Sequence, residues 1–195
     1  MKTSAALAAL ALSLMLGGCI SVFPKSKPVQ MYSFGSQPPA PARPVSGVMI
    51  YKGLTVFPPA TAGDRILTVT GPQDAYIAEV RWVAPAAQLF DAAVLKAFDM
   101  PGSPRLVERG EPLSAPYTLR LDVREFDVRY PGPVAHVSVR ATLVRNQDHS
   151  LAGESLLQEE APAGGNTQTA IVAAMDQAVS KMMGNIRDFA AGSAK

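Results

Sequence analysis

The sequence predicts an α+β fold in which two α-helices pack on one face of an antiparallel or mixed β-sheet. Three observations predict it. Residues 117–157 alternate apolar and polar side chains, which is the period of half-buried strands. Two segments, near 85–98 and 166–190, repeat apolar residues at helical spacing and so carry one buried face each. The order strands, helix, strands, helix is that of a layered α+β domain.

The elements follow in chain order. Met31-Tyr32-Ser33-Phe34 alternates and reads as a short edge strand. Val48–Tyr51 and Leu54–Phe57 read as strand, ended by Pro58-Pro59. Asp64–Val69 is a second strand closed by Gly71-Pro72, and Tyr76–Trp82 a further one. Pro85 opens the first helix, whose apolar positions are Leu89, Phe90, Ala93, Val94, Ala97 and Phe98. Pro101-Gly102 stops it, and Arg105–Val107 follows as a short strand.

Tyr117, Leu119, Leu121 and Val123 are apolar at odd numbers, whereas Phe126, Val128 and Tyr130 are apolar at even numbers. The phase flips near Arg124-Glu125, which predicts a β-bulge there. Pro131-Gly132-Pro133 turns the chain, and Val137, Val139, Ala141 and Leu143 line a buried face opposite His136, Ser138, Arg140 and Thr142. Asn146–His149 is a hairpin loop, and residues 151–157 return to complete an antiparallel meander. Asn166 is the expected cap of the last helix, whose stripe is Ile171, Met175, Ala178, Met182, Ile186 and Phe189.

Composition narrows the function. The chain has 195 residues, 48 % hydrophobic and 17 % charged, with a net charge of +2. That suits one ordered domain and gives no basic run for nucleic acid. One cysteine, Cys19, excludes an internal disulfide and a multi-cysteine metal site. The two histidines, His136 and His149, have no Gly-x-Ser-x-Gly elbow, His-Glu-x-x-His, Walker loop or Gly-x-Gly-x-x-Gly beside them. No cofactor is implied. His136 sits on the polar side of its strand and reads as a surface residue, whose removal should cost no more than about 0.5 kcal/mol. Trp82 has two readings: a packed core residue, or, with Arg81, an interface or lipid-facing anchor.

The N-terminus reads as a processing signal over residues 1–18. Lys2 precedes an apolar run from Ala5 to Leu16, about a dozen residues where a spanning helix needs about 20. Leu16-Gly17-Gly18-Cys19 follows directly and resembles the lipobox of bacterial lipoproteins. The resemblance implies that the Cys19 thiol takes a diacylglyceryl group. It also implies that signal peptidase II, recognising Leu16, Gly17 and Gly18, cuts before the cysteine. Ile20 lacks the aspartate that retains lipoproteins in the inner membrane, so the resemblance implies the outer membrane, facing the periplasm. Residues 19–46, with Pro24, Pro28, Pro38, Pro39, Pro41 and Pro44, read as a Pro-rich tether, and residues 47–195 as a single domain.

The arrangement as a whole resembles the ABC-type transport auxiliary lipoproteins, the PqiC/YmbA-like family. The resemblance rests on several features in this order: the lipobox Leu16–Cys19, the patch Met31–Phe34, the strand with Asp64-Arg65-Ile66, and Glu79-Val80-Arg81-Trp82 running into a helix. Tyr117–Leu121 then opens a long hairpin, and an Ala-rich helix ends the chain. It implies a non-enzymatic, lipid-anchored partner of an MCE-type lipid transport system. The implied partners are an MCE-family protein, an ABC permease and ATPase, outer-membrane lipid through the acyl anchor, and further copies of the chain. Nucleic acid is not among them. The alternatives are an outer-membrane assembly lipoprotein resembling LptE and an envelope hydrolase, which a Ser–His pair in a cleft would favour.

Overall fold

A computed structural model describes residues 28–35 and 47–194, apart from 101, 109 and 112. The signal segment, Cys19 and most of the Pro-rich stretch lie outside the described residues. The strands are β1 (Gln30–Tyr32), β2 (Met49–Val56), β3 (Leu67–Thr70), β4 (Gln73–Tyr76), β5 (Val80–Trp82), β6 (Arg105–Val107), β7 (Tyr117–Tyr130), β8 (Val134–Arg145) and β9 (Leu151–Pro162). The helices are α1 (Ala86–Phe98) and α2 (Gln168–Ser193).

The long strand β7 organises a seven-stranded mixed sheet. One edge of β7 pairs antiparallel with β8, which pairs antiparallel with β9, as the meander predicts. Its other edge is shared by two parallel strands. β2 pairs with Tyr117–Asp122 and β3 with Val128–Tyr130. The β7–β8 register shifts between Val123 and Glu125, where the alternation changes phase. The shift keeps Val123, Phe126 and Val128 all on the helix-covered side, each nearly fully buried.

Both helices cover that one side. The predicted stripe of α2 is buried from Ile171 to Ile186, and Phe189 packs at its margin. An aromatic cluster fills the space between sheet and α1. Phe126 is its hub, with ring centroids 5.4 Å from Phe34, 5.5 Å from Phe57 and 6.4 Å from Phe90. Such tilted and edge-on pairs add to the area they bury.

Two expected elements are revised. The expected strand Tyr76–Trp82 is two strands, β4 and β5, because Glu79 adopts φ 62° and turns the chain. β4 then pairs with β3, whereas β5 pairs parallel with β1 in a separate two-stranded ribbon. The cap of α2 is Thr167, not Asn166; its side chain accepts from the Ala170 N–H at 3.2 Å.

The packed domain also begins before residue 47. Phe34 is 3 % exposed and meets Trp82 edge-on at 4.9 Å. The Gly35 N–H donates to Asp176 Oδ1 of α2 at 2.8 Å. A Cβ on Gly35 would lie 2.6 Å from Ala93 Cβ, and its φ is +68°, so this close approach requires glycine. Residues 28–35 are therefore part of the fold, carried into it by one large aromatic side chain.

Two outcomes are expected from this packing. Phe34→Ala should lower stability by about 3–5 kcal/mol, as aromatic truncations in cores do. Gly35→Ala should also destabilise, although it adds a single methyl group. Urea unfolding midpoints of the full chain check both. Midpoints within error of the parent would mean that residues 28–35 do not pack as described.

Candidate docking surface

The sheet face turned away from the helices carries the charged side chains of the meander. The register places Glu125 and Asp127 of β7, His136 and Arg140 of β8, and Glu154 and Glu160 of β9 on this face. The bulge at Arg124 is responsible for the first two. Were Arg124 paired in regular register instead of bulged out, Glu125 and Asp127 would point into the core, and Phe126 and Val128 would point out.

His136 lies between two carboxylates. Its Nε2 is 2.8 Å from Glu160 Oε1 and its Nδ1 is 3.0 Å from Glu125 Oε2. The second contact is too oblique for a hydrogen bond. Contrary to the surface reading, the imidazole is 7 % exposed, because its neighbours from β7 and β9 close over it. Arg129 completes the cluster, reaching Glu125 Oε1 at 2.8 Å and Asp127 Oδ1 at 3.2 Å. Burial holds the Asp127 carboxyl above its ordinary range, and the Arg129 charge beside it only partly offsets this. Burial also works against the charge of Arg129, but its bonds to Glu125 and Asp127 win and raise its pKa.

Further along, the pairs are more open. Arg124 Nη2 meets Asp122 Oδ2 at 2.6 Å, and Glu154 takes Thr142 Oγ1 at 3.3 Å and faces Arg140 at 3.8 Å. Leu156 stands exposed among them. The face therefore presents paired charges with an apolar side chain between them.

The chemistry of a reaction centre is not assembled here. Ser138 shares the face with His136 but lies two residues along the strand, about 7 Å away and beyond hydrogen-bond reach. Among the described residues no group of three or more His, Cys, Asp or Glu side chains could hold a metal ion. His149 sits in the hairpin loop with φ 58°. A cavity of about 350 Å³ opens between β2 and the loop before β7, lined by Tyr51, Lys52, Gly53, Gly110, Glu111 and Thr118. Its charged groups are engaged: Lys52 with Asp91 at 2.7 Å, and Glu111 with Arg105 at 2.9 Å.

The two candidate interface residues part company. Trp82 is 1 % exposed and packs against Phe34, so it is a core residue and not a contact surface. Arg81 projects from the opposite side of β5 and pairs with Asp64 Oδ1 at 3.1 Å. Cys19, Leu16, Gly17 and Gly18 lie outside the described residues.

A family model described as ABC-type transport auxiliary lipoprotein component matches residues 36–186. The chain belongs to that family. No curated protein matches it by sequence. Among solved structures, protein XCC0632 from Xanthomonas campestris, of family DUF330, is similar at 20 % identity and TM-score 0.71. That match covers 84 % of this chain and 96 % of the other. The hypothetical protein CT253 from Chlamydia trachomatis has 10 % identity and TM-score 0.55, over 76 % and 98 % of the two chains. At these identities the likeness is one of fold. This auxiliary lipoprotein therefore shares its mixed sheet and paired helices with relatives whose sequences have diverged widely. Among the described residues no helix is long and apolar enough to cross a membrane.

Removing His136 takes away the contact with Glu160 and leaves a void beside Glu125, which keeps only its pair with Arg129. His136→Ala should therefore cost about 1–3 kcal/mol, in contrast to a surface histidine. A shift in urea midpoint worth less than 0.5 kcal/mol (roughly the surface value) would contradict its burial. Asp127 supplies a pH test. Its carboxyl binds a proton more tightly folded than unfolded, so its contribution weakens as pH rises from the ordinary carboxylate range through the raised folded value. The stability of the parent relative to Asp127→Asn should thus be more favourable below that window than above it. Unfolding curves of both proteins from acid to neutral pH check the sign.

Proposed function

We propose that this auxiliary lipoprotein is a lipid-anchored periplasmic subunit of an ABC/MCE-type lipid transport system, working by docking at the outer membrane and not by catalysis. The observation that carries the reading is the family match over residues 36–186, joined to Leu16-Gly17-Gly18-Cys19 behind an apolar run. In this reading Cys19 is the acylated residue and Ile20 permits passage to the outer membrane. Two or three acyl chains hold a protein stably where one alone is marginal.

The helix-free sheet face supports docking. Its charges are preset by ion pairs and the buried His136 cluster, so a partner meets an ordered pattern of charge. An MCE-family protein with complementary charge is the partner proposed, with the ABC permease and ATPase joined through it. Further copies of the chain are a second proposed partner.

Two measurements test the reading. Cys19→Ala should abolish acyl labelling and leave the precursor uncut, and persistent labelling would remove the anchor. Affinity purification of the intact chain from solubilised envelopes should recover MCE and ABC components. The double charge reversal Arg140→Glu with Arg124→Glu should lower that recovery at least about tenfold (some 1.4 kcal/mol) while the protein stays folded and anchored. Recovery of lipopolysaccharide assembly components in their place would overturn the MCE assignment.

A further inference from the structure

The β1–β5 ribbon has two unlike faces. The parallel register sets Gln30 beside Val80, Met31 beside Arg81 and Tyr32 beside Trp82. Val80 and Trp82 point into the core, so Met31 and Arg81 point outward. Alternation adds Val29 and Val83 to the outer side. Val29, Met31 and Val83 are 51 %, 60 % and 52 % exposed. Three large apolar side chains thus surround one arginine on a single exposed face of the ribbon.

We propose that this outer face, formed by Val29, Met31, Arg81 and Val83, rests on the anionic phospholipid surface in which Cys19 is anchored. The inference rests on the proposed acylation of Cys19. Val29 follows Cys19 by ten positions in the chain. Fully extended, that stretch reaches at most about 35 Å, so the ribbon is the part of the domain held closest to the bilayer.

Charge favours the same occupant. The chain carries no acidic residue before Asp64, while Lys25, Lys27 and Arg43 lie between Cys19 and the domain's second strand. Basic residues beside an anchor are drawn to anionic lipid, by about 1 kcal/mol each near the surface. Asp64 engages Arg81 through Nη1 alone, which leaves guanidinium donors for a lipid phosphate. The apolar side chains flank that phosphate site and enter the acyl boundary. A protein partner would need a surface both acidic and apolar within reach of the bilayer, which the lipid supplies by itself.

The experiment uses the full acylated chain in vesicles of phosphatidylethanolamine and phosphatidylglycerol, at less than one chain per vesicle. Cys19 is the sole cysteine, and acylation blocks its thiol. An environment-sensitive thiol probe therefore labels only an introduced cysteine. Met31→Cys, Val83→Cys and, on the helix-free sheet face, Leu156→Cys are labelled in turn. Spin-labelled lipid should quench the probes at 31 and 83 at least twofold more than the probe at 156. Arg81→Gln in the Met31→Cys background, or omission of phosphatidylglycerol, should reduce that quenching. Equal quenching at all three positions overturns the proposal. Shielding of 31 and 83 that appears only at many chains per vesicle assigns the face to a second copy and also overturns it. Labelling of the unsubstituted chain would report a free Cys19 thiol. It would remove the anchor itself, whereas equal quenching with Cys19 blocked removes this inference alone.

Discussion

One extra residue, Arg124, sets both faces of the sheet. On its N-terminal side β7 buries odd-numbered residues and on its C-terminal side even-numbered ones. The change delivers Phe126 to the aromatic cluster that joins α1, the segment after β2 and the N-terminal Phe34. It delivers Glu125 and Asp127 to the opposite side, where Arg129 pairs with both and His136 lies beside Glu125. A β7 without the bulge would put two carboxylates into an apolar layer, at a cost no side-chain packing could offset. Apolar core and charged outer face are thus two results of the same shift in register.

The same point divides the far edge of β7. β2 pairs before it and β3 after it, both parallel. Parallel neighbours need crossover connections, and these carry the chain over the sheet and into α1. The helix-covered layer is therefore built from segments before, within and after the sheet, with Phe126 at their meeting place.

Much of this was legible. Alternation within 117–157 is local, so the meander, the bulge and the polar face can be read from neighbouring residues. The stripes of α1 and α2 are local as well. What could not be read was set by distant partners. Nothing near Met31–Phe34 indicates that β1 pairs with β5 or that Phe34 fills a space beside Trp82. His136 has the alternation of an exposed residue, and its burial comes from carboxylates 11 residues before it and 24 after it. Trp82 and Arg81 are adjacent in sequence yet belong to opposite environments, a distinction that needed the strand's orientation. The turn at Glu79 lacked a glycine or proline to mark it.

The hydrogen bond from Gly35 to Asp176 joins residues 141 positions apart. A polypeptide synthesised N-terminus first releases Gly35 early and the acceptor in α2 only near the end. The pocket that receives Phe34 is also incomplete until Phe126 has been delivered. Closure of so long a loop comes late, since its entropy must be met before the contact returns anything. The first strand of the domain thus waits for the last helix. A segment early in the chain is thereby among the last to dock, by topology alone.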